Sequence, residues 1–140
     1  MEVVRRATPA DVRSVLSLWT RAAAAPSVTD DEESLQRMAA RGALFVAETD
    51  DTIVGSVIAT FDGWRGNVYR LAVDPRYRRR GVARRLVEHG ERHLADQGCV
   101  RVSALVVRDE PAATSLWSAL GYELQDAMLR FVKTGPLGGR

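Results

Sequence analysis

Apolar residues recur along the 140-residue chain at two spacings, near 3.6 and near 2, and their order predicts helices interleaved with strands. Glu2 to Ala7 is short and β-branched, which fits a first strand. Thr8-Pro9-Ala10-Asp11 reads as a helix start, with a hydroxyl cap, a proline in the first turn and an acid at the third position. Val12, Val15, Leu16 and Trp19 form the buried face of that helix. Ala22 to Val28 is a linker in which Pro26 cannot continue the helix. Thr29 to Ala40 is a second helix, with Asp30, Asp31, Glu32 and Glu33 at its positive end and Leu35, Met38 and Ala39 facing inward. Leu44 to Glu48 and Ile53 to Phe61 are strands joined by the Asp50-Asp51 turn, so they pair antiparallel.

The next strand runs from Asn67 to Val73 and stops at Asp74-Pro75, because Pro75 has no N–H for a ladder. Ala83, Leu86, Val87, Gly90 and Leu94 then fall on one face at helical spacing, and Gly98 follows the last turn. Val100 to Val107 is an uninterrupted apolar strand of the kind covered on both faces. Pro111 to Leu120 is a helix, and Met128 to Lys133 a final strand. The order β-α-α-β-β-β-α-β-α-β-β predicts one mixed α+β domain over residues 1–133, with helices on both faces of its sheet and a flexible tail at 134–140.

At 140 residues the chain buries about two thirds of its unfolded surface in one core. No apolar run approaches the roughly 18 residues needed to cross a bilayer, and Met-Glu-Val-Val-Arg-Arg has no signal-peptide core. A cytoplasmic protein without a membrane partner is expected. Cys99 is the only cysteine, which excludes an internal disulfide, and it reads as core at the start of a buried strand. His89 and His93 are spaced i, i+4, but no His-Glu-x-x-His and no third ligand accompany them, so no metal is expected.

Net charge is only +2, yet residues 76–85 hold six arginines and no acid, leaving the rest of the chain net negative. Nucleic-acid binding would want such charge spread over a face with aromatics, and here it sits in one loop at a helix start, so no nucleic-acid partner is expected. Arg76, Arg84 and Arg85, taken singly, read equally well as solvated charge. The chemistry lies in Arg78-x-x-Gly81-x-Ala83. A helix's first turn has N–H groups without partners and a partial positive charge, which suit phosphate. Gly81 lets backbone approach the anion, Ala83 keeps the next turn close to the sheet, and the arginines add bidentate charge. A P-loop would need Lys-Ser or Lys-Thr after the glycine, whereas the only lysine is Lys133; Gly-x-Gly-x-x-Gly is also absent. The pattern is that of a pyrophosphate cradle.

Val73-x-Pro75-x-x-Arg78-x-x-Gly81-x-Ala83 resembles the acyl-CoA-binding motif of the GNAT superfamily of N-acetyltransferases, and the likeness to small bacterial members extends over nearly the whole chain. The resemblance implies a mostly antiparallel twisted sheet whose middle strands splay apart to admit the pantetheine arm. It implies acetyl-CoA as cosubstrate, held by Ala72, Val73, Arg78, Arg79, Arg80, Gly81, Val82, Ala83, Arg84 and Trp117, with Leu105 and Val106 as apolar lining. The acetyl group would pass to a primary amine of a small molecule, protein or peptide, with the Val73 N–H facing the developing oxyanion. Asp62-Gly63-Trp64-Arg65-Gly66 resembles the acceptor-side turn of such proteins, making Trp64 and Tyr69 candidate acceptor contacts. The acids at 30–33 would border the same site, although helix capping on a solvated face accounts for them more simply. Members often form homodimers, a partnership this resemblance leaves open.

Ala113, Gly121 and Tyr122 match the family's Asn-x-x-Ala-x-x-x-Tyr-x-x-x-Gly-Phe/Tyr segment, but Glu110 replaces the asparagine and Trp117 the tyrosine assigned as general acid. An indole N–H does not titrate usefully, so Trp117 cannot protonate a leaving thiolate. Activity need not vanish, because a thiol of pKa about 8.5 leaves as a fairly stable anion. No base is evident: Tyr69 and Arg70 stand where some members carry Glu, leaving Asp62, Tyr69, an acid of 30–33 through water, or solvent. Two function classes follow, an N-acetyltransferase and an acyl-CoA-binding sensor or structural protein with little catalysis.

Overall fold

In the computed structural model, which describes residues 1–108 and 111–138, the elements are β1 (Val3–Arg6), α1 (Val12–Arg21), α2 (Glu32–Ala40), β2 (Leu44–Thr49), β3 (Thr52–Phe61), β4 (Gly66–Val73), α3 (Val82–Asp96), β5 (Val102–Ala104) and α4 (Pro111–Ala119). They fall into two compact units, Met1–Leu105 and the residues from Val106 onward. The fold is α+β, with one mixed sheet ordered β1-β2-β3-β4-β5, antiparallel from β1 to β4 and parallel between β4 and β5.

Two consecutive residues of β3 show how the first unit is layered, because neighbours on a strand point to opposite faces. A Cβ on Gly55 would lie 2.9 Å from Leu86 Cδ1 and 3.0 Å from Val82 Cγ1, so that face meets α3 at backbone distance. Ser56, one residue on, accepts a 2.8 Å bond from Trp19 Nε1 of α1. The helices therefore cover both faces. Val12, Val15, Leu18, Trp19 and Leu35 are buried on the α1–α2 side, and Val82, Leu86, Val87 and Leu94 on the α3 side. Each such side chain contributes about 1.5–3 kcal/mol by leaving water.

Local chemistry sets the boundaries. α1 begins after a short 3₁₀ turn at Pro9–Asp11, where Asp11 Oδ2 accepts the Thr8 N–H at 2.8 Å. α2 begins at Glu32 and not at Thr29, because Asp31 is extended and caps the helix by accepting the Ser34 N–H at 2.7 Å. The β2–β3 hairpin turns through Asp50 and Asp51 with φ of 49° and 61°, the left-handed pair that matches strand twist.

β4 departs from regularity at one place that matters. Ser56 pairs with Ala72 and Ile58 with Tyr69, so Arg70 and Leu71 together oppose Val57 in a bulge, with Arg70 at φ 53°. Below the bulge β4 pairs with β5 through Gly66↔Val102, Asn67↔Ser103 and Val68↔Ala104. Above it, Tyr69 to Val73 has no β5 partner. The expected strand Val100–Val107 is thereby cut to three residues: a bulge bends its strand away, and β5 loses its ladder past Ala104. Val100 is 94% exposed and Leu105 57%.

In the second unit, α4 is followed by a turn in which Gly121 takes φ 89° and the Tyr122 N–H bonds to the Trp117 carbonyl at 3.0 Å. The expected strand Met128–Lys133 does not form, and no strand follows α4 among the described residues. Met-Leu-Arg-Phe-Val-Lys does not alternate apolar with polar, and a lone segment without a ladder is not stable as a strand. Phe131 is 92% exposed. Glu110 lies outside the described residues.

Candidate functional site

The turn from β4 into α3 is held by Asp74, whose side chain is almost fully buried. Its Oδ1 accepts the Arg76 N–H at 2.9 Å, and its Oδ2 pairs with Arg21 Nε at 3.1 Å and the Arg76 guanidinium at 3.2 Å. The bond from Arg76 and the pairing with Arg21 outweigh burial and keep this carboxyl far below the usual carboxylate range. Arg21 also donates to the Ile53 carbonyl at 3.1 Å, tying α1, β3 and the turn together.

Past this anchor, Arg79 and Gly81 both take left-handed backbone, φ 64° and 78°, and α3 starts at Val82. Nothing lies within 4 Å of where a Gly81 Cβ would stand, so the helix start opens outward. Val82 is buried against Gly55 and fixes that start on the sheet; Ala83 is half-buried, and Arg78, Arg79, Arg80 and Arg84 are exposed. Arg78 Nε donates to the Val73 carbonyl at 3.3 Å. Arg80 lies over the Tyr77 ring at 5.1 Å and 3.7 Å from Glu2 Oε2, while Arg85 donates to Glu2 Oε1 at 2.9 Å. Arg76 and Arg85 are therefore used structurally. An open helix start in a loop with four exposed arginines suits an anionic group the size of a pyrophosphate.

From that cradle the unpartnered stretch of β4 runs back to Tyr69, about 13 Å at roughly 3.3 Å per residue. Ala72 is buried and Val73 half-buried along it. Beyond its far end lies the β3–β4 turn. There Asp62 Oδ1 accepts the N–H of Trp64 at 2.8 Å and of Arg65 at 2.7 Å, and these two bonds, that of Arg65 first, lower its proton affinity. Asp62 thus shapes the turn and is a poor proton acceptor. Trp64 is 73% exposed with the Arg65 guanidinium stacked 4.3 Å above its ring, and Tyr69 is 40% exposed.

Arg70 does what the sequence did not signal. Its guanidinium donates to the Ala25 carbonyl at 2.6 Å, pairs with Asp30 at 2.6 Å and lies 5.2 Å over Trp19. Ser56 Oγ, which accepts from Trp19, donates in turn to the Arg70 carbonyl at 3.3 Å. The segment between α1 and α2 is therefore fastened to the bulge of β4. A charged residue inside an apolar strand was the one available hint. The other acids of that segment are also engaged: Glu32 with Arg13 at 2.9 Å and Glu33 with Arg37 at 3.2 Å, in addition to the Asp31 cap.

Ala72, Val73 and residues 78–84 thus lie on one continuous strand, loop and helix, while Asp62, Trp64 and Tyr69 gather towards the opposite end of β4. Trp117 belongs to the second unit, half-buried, with its ring edge-on to Tyr122 at 4.8 Å. His93 does not pair with His89: its Nδ1 is 3.1 Å from Arg6, its ring packs against Phe45, and burial, then Arg6, lowers its pKa.

A mixed sheet whose β4 loses its parallel partner beside an open, arginine-rich helix start is the arrangement that the resemblance to acyltransferases implies. Residues 12–122 match the Acetyltransferase (GNAT) family, and the chain belongs to it. An acetyltransferase of Sodalis glossinidius (strain morsitans) is 35% identical over 121 residues, 85% of each chain. Among solved structures, the PaiA N-acetyltransferase from Thermoplasma acidophilum in complex with coenzyme A superposes with a TM-score of 0.78 at 16% identity, over 90% of this chain and 92% of that one. The ribosomal-protein-S18-alanine N-acetyltransferase from Escherichia coli gives 0.71 at 23% identity, over 86% and 77%.

Proposed function

We propose that the protein transfers an acetyl group from acetyl-CoA to a primary amine. The observation that carries this reading is the cradle: Gly81 open and left-handed at the start of α3, Val82 locked on Gly55, and Arg78, Arg79, Arg80 and Arg84 around it. Acetyl-CoA would supply the activated acyl carbon. In the transfer the amine nitrogen forms a bond to that carbon, the carbon–sulfur bond breaks, the amine gives up a proton and the thiolate takes one. The chain's part is to hold the pyrophosphate at the cradle and leave the edge of β4 from Tyr69 to Val73 free for strand-like bonds. Proximity and oriented N–H groups, Val73 first among them, then supply most of the rate.

Neither proton has a strong side-chain partner. Asp62 is committed to its turn, so Tyr69 or solvent is left as base, and Trp117 cannot act as acid. Slow chemistry and an amine that is already neutral at working pH suit such a site. No helix among the described residues is long and apolar enough to cross a membrane, in keeping with work on dissolved amines.

Free CoA release measured with acetyl-CoA and a panel of amines tests this reading. Release that depends on amine and saturates with it is expected. Calorimetric binding of acetyl-CoA with release no faster than hydrolysis for every amine would instead establish the sensor.

A further inference from the structure

We infer that Arg70 sets the acceptor class, by neutralising the acid nearest the free edge of β4, and that the acceptor is an amine with a neutral body and not a polycation. This rests on the acetyltransferase reading above.

The free edge of β4 runs about 13 Å from Val73 to Tyr69, so an amine that reaches a thioester held at Val73 from the end away from the cradle passes Tyr69 and Arg70. The segment facing that end carries four acids in succession, Asp30 to Glu33, which would suit a polyamine were they available. They are not. Asp30 is paired with Arg70, and both side chains are about one-fifth exposed; Glu32 and Glu33 are paired with Arg13 and Arg37, and Asp31 caps α2. On the turn beyond, Asp62 is held by the Trp64 and Arg65 N–H groups and the Arg65 guanidinium lies over Trp64, so the turn carries no net charge. A polycation entering here meets a closed Arg70–Asp30 pair and that turn, and gains nothing by its charge. An amine with an uncharged body meets an exposed aromatic surface at no electrostatic cost.

Arg70 is built to stay in place. Its left-handed backbone, the Ala25 carbonyl and the Trp19 ring fix the guanidinium independently of Asp30. Removing the charge therefore bares Asp30, whereas removing the carboxylate leaves the arginine where it was.

The test compares kcat/KM for two probes, spermidine and alanyl-phenylalanine amide, at low ionic strength. The wild-type protein should prefer the peptide amide. Arg70→Gln should shift the ratio toward spermidine by about fivefold, the size expected of one partly exposed charge. Arg70→Lys should keep the wild-type ratio, and Asp30→Asn should shift it the other way. A purely structural Arg70 would lower both values together, and an unchanged ratio in Arg70→Gln overturns the proposal. So does a wild-type preference for spermidine, or turnover of neither probe while another amine is acetylated. Absence of acetyl-CoA binding, or binding without turnover of any amine, would overturn the acetyltransferase reading instead.

Discussion

Glu2 and Arg85, 83 residues apart, are joined twice: Arg85 donates to the Glu2 carbonyl at 2.7 Å and to its Oε1 at 2.9 Å. The second residue of the chain thereby holds the first turn of α3, with its carboxylate buried and Arg80 3.7 Å from the other oxygen. Glu2→Gln keeps the shape but leaves a half-exposed guanidinium with a weaker partner. A loss of about 1–2 kcal/mol in denaturant unfolding is expected. Acetyl-CoA affinity by calorimetry should not fall, because an acid has left the neighbourhood of an anion site; weaker binding would mean that Glu2 orients the cradle.

Gly81→Asp tests the cradle directly. The glycine sits at φ 78°, where a β-carbon costs about 1–2 kcal/mol, while the space beyond it is open, so the folded variant remains attainable. Its carboxylate would stand where phosphate is proposed. At least a tenfold loss of acetyl-CoA affinity is expected, with Gly81→Ala intermediate. Equal affinity in both variants would remove the ligand from this loop.

What a sequence makes legible depends on scale. The strand-to-helix turn is legible because each part is local: Asp74-Pro75 ends a strand, Gly81 takes a left-handed angle, and Val82 begins an apolar helix face, all within nine residues. Arg70 was illegible because its partners, Ala25, Asp30 and Trp19, are fixed only by the bulge opposite Val57, and no period in the sequence marks a bulge. The role of Glu2 is illegible for the same reason, its partner being 83 residues away. Val100–Val107 shows the converse error: an apolar run declares affinity for a sheet, yet its strand length is decided by how far β4 stays straight beside it.

Asp74 and His93 give the first unit a signed pH dependence. The Asp74 carboxyl is lowered by its arginines, so its stabilisation is present above the unfolded value near 3.9 and is lost as pH falls further. His93 is also lowered, by burial and Arg6, so the unfolded chain binds the proton more readily and stability starts to fall below about 6.5. Asp74→Asn should cost about 1–3 kcal/mol at pH 7. The gap between variant and wild type should close as pH drops below about 4, where the native carboxylate gains nothing over an amide. A gap that persists unchanged to pH 2 would show that shape, and not charge, is what Asp74 supplies.

Trp117 bears on the leaving group. It stands where the family resemblance expects a tyrosine, and in the second unit it stacks edge-on with Tyr122, centroids 4.8 Å apart at 73°. Trp117→Tyr restores a phenol in an aromatic of similar shape, at the cost of a small cavity and part of that ring contact. If position 117 faces the sulfur, the rate with a productive amine should rise, by at most the 10²- to 10⁴-fold that proton transfer supplies and by less where thiolate departure is not limiting. Trp117→Phe controls for volume, because it keeps the edge-on contact with Tyr122 and has no proton to give. The gain should appear in kcat, should fade as pH approaches 10, where the phenol ionises, and should leave acetyl-CoA affinity unchanged. Equal turnover by the Tyr and Phe variants would place the protonating group elsewhere, and solvent would then be the simplest acid for a thiolate that already leaves as a stable anion.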